Sequence, residues 1–204
     1  MSIPMAPQLV VVDGDLDEWR NFPTMPAPFM DRAAEPLIAP GENGTVITIY
    51  RKTSQLRLAW KASGLYGAME IRDDQVQIDP QKPWNADSVE IFIEKDFARS
   101  AEATEATGQV ILSPDLKTGR CEIWTKNISP DGIVAVCKAT DGGYRLEFFI
   151  MAPELRPAEM RADVKLGLNV AQNNDGTPVW QLFSDKSGDG FRQPDTWGAV
   201  VLGR

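Results

Sequence analysis

The stretch Asp87-Ser88-Val89-Glu90-Ile91-Phe92-Ile93-Glu94 decides the fold class, because its apolar residues recur at every second position. Successive side chains of an extended chain point to opposite faces. Val89, Ile91 and Ile93 therefore share one face, and Ser88, Glu90, Phe92 and Glu94 share the other. The aliphatic face belongs against a core, which leaves Glu90 on the outer face beside an exposed aromatic, with Trp84 in the loop just ahead. A strand apolar on one side only is the unit of an antiparallel sheet.

Working outward in both directions, the same reading repeats. Residues 8–12, 45–50, 55–61, 65–71, 87–94, 109–112, 120–125, 133–139, 144–151, 166–172 and 198–202 read as strands rich in β-branched and aromatic residues. Ser63-Gly64, Pro130-Asp131-Gly132, Asp141-Gly142-Gly143 and Asp175-Gly176 supply the backbone geometries that hairpins need. The expected fold is all-β, an antiparallel β-sandwich of immunoglobulin or jelly-roll type, with residues 1–204 as one domain. Residues 22–44, with prolines at 23, 26, 28, 36 and 40, read as an extended loop, and residues 97–106 as a short surface helix on their alanine and glutamate content.

The chain has 204 residues and no histidine. That excludes Ser-His-Asp and Cys-His catalysis, histidine-ligated zinc or iron, His-axial haem and an imidazole pH switch. A chain of this size buries roughly 70% of its unfolded surface, so it needs neither disulfides nor a metal to fold. Its net charge of −8 argues against a nucleic-acid partner and leaves neutral or cationic ligands and calcium open. No apolar run approaches the length of about 18 residues that spans a membrane. The opening MSIPMAPQLVVVDGD has no basic region ahead of an apolar stretch, so it is not expected to be a signal peptide.

A carboxylate beside an exposed aromatic suits a sugar, whose C–H face rests on a ring while its hydroxyls donate to the acceptor. The competing expectation is a solvated outer face with Trp84 plugging its loop into the core. Asp87 and Glu90 do not form a glycosidase pair, because three residues apart on a strand they point to opposite faces. Asp13-Gly14-Asp15-Leu16-Asp17 and Asp185-Lys186-Ser187-Gly188-Asp189-Gly190 are calcium candidates or simply polar turns. The second is no EF-hand, since its twelfth position is Thr196. A hairpin centred on Ser129 sets Cys121 opposite Cys137, either as a disulfide or as two small buried thiols. The methionines and lysines are conceivable haem ligands but read as core filler and surface, so no haem is expected.

Three stretches, taken together, resemble the family 9 carbohydrate-binding modules and the wider DOMON-like sandwiches. They are VVDGDLDEW at 11–19; Pro83-Trp84-Asn85-Ala86-Asp87-Ser88-Val89-Glu90-Ile91-Phe92-Ile93-Glu94; and a closing group of GGYRLEFFI at 142–150, GLNVAQNND at 167–175 and SDKSGDGFRQPDTWGAVVL at 184–202. The resemblance implies a non-catalytic module that holds the terminal sugar of a glycan between two rings, with calcium at structural sites. It also implies an extracytoplasmic setting and association with a larger carbohydrate-active enzyme. Carried over by motif, the rings are Trp84 and Phe191, the hydrogen-bonding glutamate is Glu90, and Asp189 and Arg192 lie beside the second ring. The sequence departs from the family pattern where Ile111 stands near an expected arginine, and where phenylalanine replaces tryptophan at 191. A haem-holding electron-transfer domain and a ligand-free interaction module are the alternative readings.

Overall fold

The computed structural model describes residues 1–25, 30–31, 37–40, 46–49, 54–73, 75–183 and 192–204. Its strands are β1 (Ser2–Ile3), β2 (Met30–Asp31), β3 (Leu37–Pro40), β4 (Val46–Ile49), β5 (Gln55–Lys61), β6 (Gly64–Arg72), β7 (Ser88–Glu94), β8 (Thr107–Asp115), β9 (Arg120–Lys126), β10 (Ile133–Thr140), β11 (Gly143–Met151), β12 (Lys165–Asn174), β13 (Thr177–Gln181) and β14 (Gly198–Leu202). β3 and β4 form a separate hairpin. The main sheet runs in the order β1-β14-β12-β7-β8-β9-β10-β11-β6-β5, with β13 added to β12 and β2 to β13.

Every pairing in the main sheet is antiparallel except β1 with β14. β9 and β10 share a single registered pair, Val136 with Arg120. The sheet folds over at that seam, and the inner faces of its two halves pack together. Leu56, Leu58, Leu65, Met69, Leu146 and Phe148 come from one half, and Val89, Ile91, Ile93, Val110, Leu112, Leu168 and Val170 from the other. The all-β sandwich expected from alternation is the fold observed, and β5 and β14 carry the expected boundaries.

Four expectations need correction. Residues 8–12 form no strand; they belong to a strap that leaves the edge of β5, where Ala6 N–H donates to the Trp60 carbonyl, and crosses the outer face of β5, β6 and β11. Residues 97–106 form no helix, because the Glu94 carboxylate accepts the backbone N–H groups of Arg99 and Ser100 and draws that segment into a loop. Within the expected loop 22–44, β2 and β3 are strands. The fourth is the register of the cysteine hairpin, while the thiols themselves are free, one of the two expected alternatives. The seam register centres the hairpin one residue earlier than Ser129, so Cys121 does not face Cys137, whose Sγ–H instead donates to the Arg120 carbonyl at 3.3 Å.

The strap explains the VVDGDLDEW stretch. Trp19 is fully buried, and its Nε1–H donates to Glu147 at 2.6 Å, while the N–H groups of Asp13 and Gly14 donate to the same carboxylate at 3.0 and 2.6 Å. Gly14 can turn into Glu147 because its φ of +79° lies in the left-handed region, which a residue without Cβ adopts freely. Ala6, Val10, Leu16 and Phe22 complete this second core against Ala59, Tyr66 and Ala68. Burial pushes the Glu147 carboxyl up to about 7, and its three N–H donors hold it down in part.

Candidate functional site

The outer face of β7 organises the other half of the sandwich. The register places Glu90 across from Ile111 on β8 and Ala171 on β12, and Ile111 across from Trp124 on β9. Facing residues of paired strands lie on the same side of the sheet. Trp124, Ile111, Glu90 and Ala171 therefore form one row on one face. Ahead of β7, Pro83–Asn85 make a single 3-10 turn that projects Trp84 outward, 41% exposed. The Trp84 and Trp124 rings meet edge to face, with centroids 5.6 Å apart and planes at 72°. An arrangement of this kind contributes about 0.5–1.5 kcal/mol beyond area burial. Ile111 is fully buried in the row that this pair flanks.

Glu90 is half-buried and held from both sides. Its Oε1 accepts Asn173 Nδ2 at 2.7 Å and its Oε2 accepts Gln109 Nε2 at 2.8 Å, and Asn173 also donates to Ser88 Oγ at 3.1 Å. Burial raises the pKa of the Glu90 carboxyl, while the two amide donors act to lower it. Each carboxylate oxygen accepts more than one hydrogen bond. The group thus has capacity left for donors arriving from solvent, at an orientation its neighbours fix.

Asp87 serves a different purpose. It is fully buried, with Oδ2 accepting Gln77 N–H at 2.5 Å and Oδ1 accepting Asp175 N–H at 2.8 Å. This carboxylate fastens the turn between β12 and β13 to the segment that carries Trp84. Gly176 lies against Asn85 so closely that a Cβ there would fall 2.8 Å from the Asn85 Cα. Burial raises the Asp87 pKa despite the two backbone donors. Since Asp87 is engaged in closing loops, it and Glu90 do not flank a common bond.

The expected exposed aromatic beside Glu90 is not Phe92. Phe92 does lie on the outer face, but Trp197 covers it at 5.6 Å between ring centroids, and both are buried with Ala171. The aromatic that remains open is Trp84. Arg192 is exposed and stands ahead of the 3-10 turn Pro194–Thr196. Phe191, Asp189 and Asp185 lie outside the described residues. Asp13 and Asp15 are exposed, with Asp13 Oδ1 accepting Asp15 N–H at 2.8 Å. Among the described residues no group of three or more Cys, Asp or Glu side chains gathers to hold a metal. A calcium ion at Asp13 and Asp15 would have to draw most of its six to eight oxygen ligands from backbone and water.

Sequence reasoning missed Gln109, Asn173 and Trp124. Asn173 stands within GLNVAQNND, and Gln109 opens a predicted strand, but their meeting at Glu90 depends on two strand registers. The Trp124 signal is the hairpin arithmetic of β8 and β9: Asp115 pairs with Arg120, so Ile111 pairs with Trp124. That pairing emerges only when β8 continues to Asp115, past the predicted end at residue 112.

Comparison with known proteins bears on this arrangement. Residues 38–204 match the model of the carbohydrate family 9 binding domain-like family. The endo-1,4-beta-xylanases A of Thermotoga neapolitana and Thermotoga maritima are each 26% identical over 157 residues, covering 74% of this chain and 14% of the xylanase. The chain thus spans about one seventh of the length of these relatives. A family 9 carbohydrate-binding module from Caldicellulosiruptor kristjanssonii in complex with cellotriose superposes with a TM-score of 0.73 at 20% identity, covering 100% of this chain and 95% of that one. A family 9 module from the same organism in complex with glucose gives a TM-score of 0.73 at 19% identity, covering 100% of this chain and 97% of that one. Among the described residues no helix is long and apolar enough to cross a membrane.

Proposed function

Because the chain belongs to the carbohydrate family 9 binding domain-like family, we propose that it is a non-catalytic module that binds the end of a saccharide on the outer face of β7. The observation that carries this reading is the half-buried Glu90, held by Gln109 and Asn173 on the strand that follows the exposed Trp84. Trp84 takes the C–H face of the sugar, and Glu90 accepts from its hydroxyls. Phe191 is the proposed second ring, with Asp189 and Arg192 as polar neighbours. The involvement of Asp87 in loop closure supports a binding rather than a hydrolytic role, since glycosidases need two carboxyls aimed at one bond. Xylanase relatives many times longer than the matched segment support a place beside a carbohydrate-active enzyme.

Calorimetric titration with mono- and disaccharides tests the proposal, beginning with glucose and cello-oligosaccharides because those sugars occupy the similar solved modules. Trp84→Ala is expected to weaken binding at least ~10-fold, the order of an aromatic platform's contribution, at a cost of about 1 kcal/mol of stability from the lost contact with Trp124. Absence of heat with every sugar, or unchanged affinity in the variant, would overturn the reading.

A further inference from the structure

The buried carboxylates of the fold show what distinguishes Glu90. Asp87, Glu94 and Glu147 are each fully buried, and each accepts backbone N–H groups from a loop it fastens down. Glu90 fastens no loop. Its donors are two side-chain amides, and it remains partly exposed. The residues directly across from it on both neighbouring strands, Ile111 and Ala171, are uncharged and buried. Glu90 forms no salt bridge among the described residues. The charges on β9 beside Trp124, Glu122 and Lys126, are of opposite sign and exposed.

A negative charge taken partly out of water with no salt-bridge partner among the described residues is costly, and a cationic ligand removes that cost. Indole faces attract the same kind of ligand through their quadrupole. Trp124 stands in the same row as Glu90, with Ile111 between them, and the Trp84 ring meets the Trp124 ring at 72°. A neutral sugar hydroxyl gains from neither effect to the same degree. We propose that the preferred ligand end is an amino sugar, a hexosamine or its β-linked oligomer with free protonated amines, whose ammonium group meets Glu90 while the sugar reaches along the row toward Trp124 and Trp84. This rests on the reading of Trp84 and Glu90 as the saccharide site. The upward displacement of the Glu90 pKa by burial is in keeping with an anion awaiting a positive partner.

The test is calorimetric titration at a pH of about 6, where an ordinary amine is protonated, with glucosamine dimer, its N,N′-diacetyl form and cellobiose. The free-amine dimer is expected to bind on the order of ten-fold more tightly than either neutral dimer, the size of a charge-assisted contact. Glu90→Gln should reduce that preference below about three-fold while leaving the melting temperature close to wild type. If Glu90→Gln fails to fold, titration of the wild type at a pH of about 4, where much of the raised carboxyl is protonated, should remove the preference instead. Equal or tighter binding of the neutral dimers, still dependent on Trp84, would overturn the amine proposal and leave the saccharide site standing. A preference that survives loss of the Glu90 charge would trace to the net charge of −8 and also overturn it. Absence of binding by all three dimers would remove both readings.

Discussion

The two outer faces of the sandwich carry the same pair of side chains, a tryptophan and a mid-strand glutamate, and use them in opposite ways. On β11, Glu147 is sealed beneath the strap and spends its oxygens on Asp13, Gly14 and Trp19. On β7, Glu90 is cradled by Gln109 and Asn173, and Trp84, on the turn just ahead of the strand, is open to solvent. Donor type separates the two. Backbone N–H groups tie a carboxylate to the chain path, whereas side-chain amides orient it and leave its remaining lone pairs for something arriving from outside. The presence of a tryptophan and a mid-strand glutamate therefore does not distinguish a staple from a site, but the identity of the donors does.

The comparison breaks most visibly when each carboxylate is removed. Glu147→Ala leaves three buried N–H groups without an acceptor, and a loss of about 3–5 kcal/mol is expected in urea unfolding. Glu90→Gln keeps the shape and one acceptor oxygen, and is expected to change stability by less than about 1 kcal/mol. A large loss at Glu90 would mean that its face is structural after all.

The next contrast is in pH. The folded-state pKa of Glu147 is raised from 4.5 to about 7, so the native state binds more protons than the unfolded chain between those values. Stability should therefore fall as pH rises through that window, by up to about 3 kcal/mol, and be largest at its acidic end. Melting curves across the window should show this slope, and Glu147→Gln should flatten it. A stability that rises with pH there would show that the three N–H donors outweigh burial.

Smaller effects sharpen the picture further. Gly14→Ala forces a Cβ into a left-handed backbone within 3.0 Å of the Lys138 side chain, and about 1–2 kcal/mol of destabilisation is expected. Trp124→Ala removes the edge-to-face partner of Trp84 and should cost about 1 kcal/mol of stability. It should reduce saccharide affinity less than Trp84→Ala does, as measured by titration.

Alternation alone revealed most of the sandwich, because burial of one face writes a period of two into β5, β7, β11 and β14. It misled at residues 8–12. There Val10 is buried while Leu9 and Val11 are 72% and 48% exposed, which is a strand's parity without a strand's ladder. A strap lying flat on a sheet hides alternate side chains just as a strand does. The short strands β1 and β13 were missed because two to five residues carry too little pattern. Glu90 and Trp84 were legible from parity and from the resemblance. The partners of Glu90 were not, since Gln109 and Asn173 reach it only through the registers of β8 and β12, and the covering of Phe92 comes from Trp197, more than a hundred residues away.

The parallel pairing of β1 with β14 has a mechanical consequence. Met1 N–H donates to the Ala199 carbonyl, Val201 N–H to that of Met1, and Gly203 N–H to that of Ile3, so the two ends of the described chain lie side by side and point the same way. Tension applied between the two ends pulls these strands along their length in opposite directions. The bonds between them are then loaded in shear, all at once, instead of being unzipped one after another from an edge.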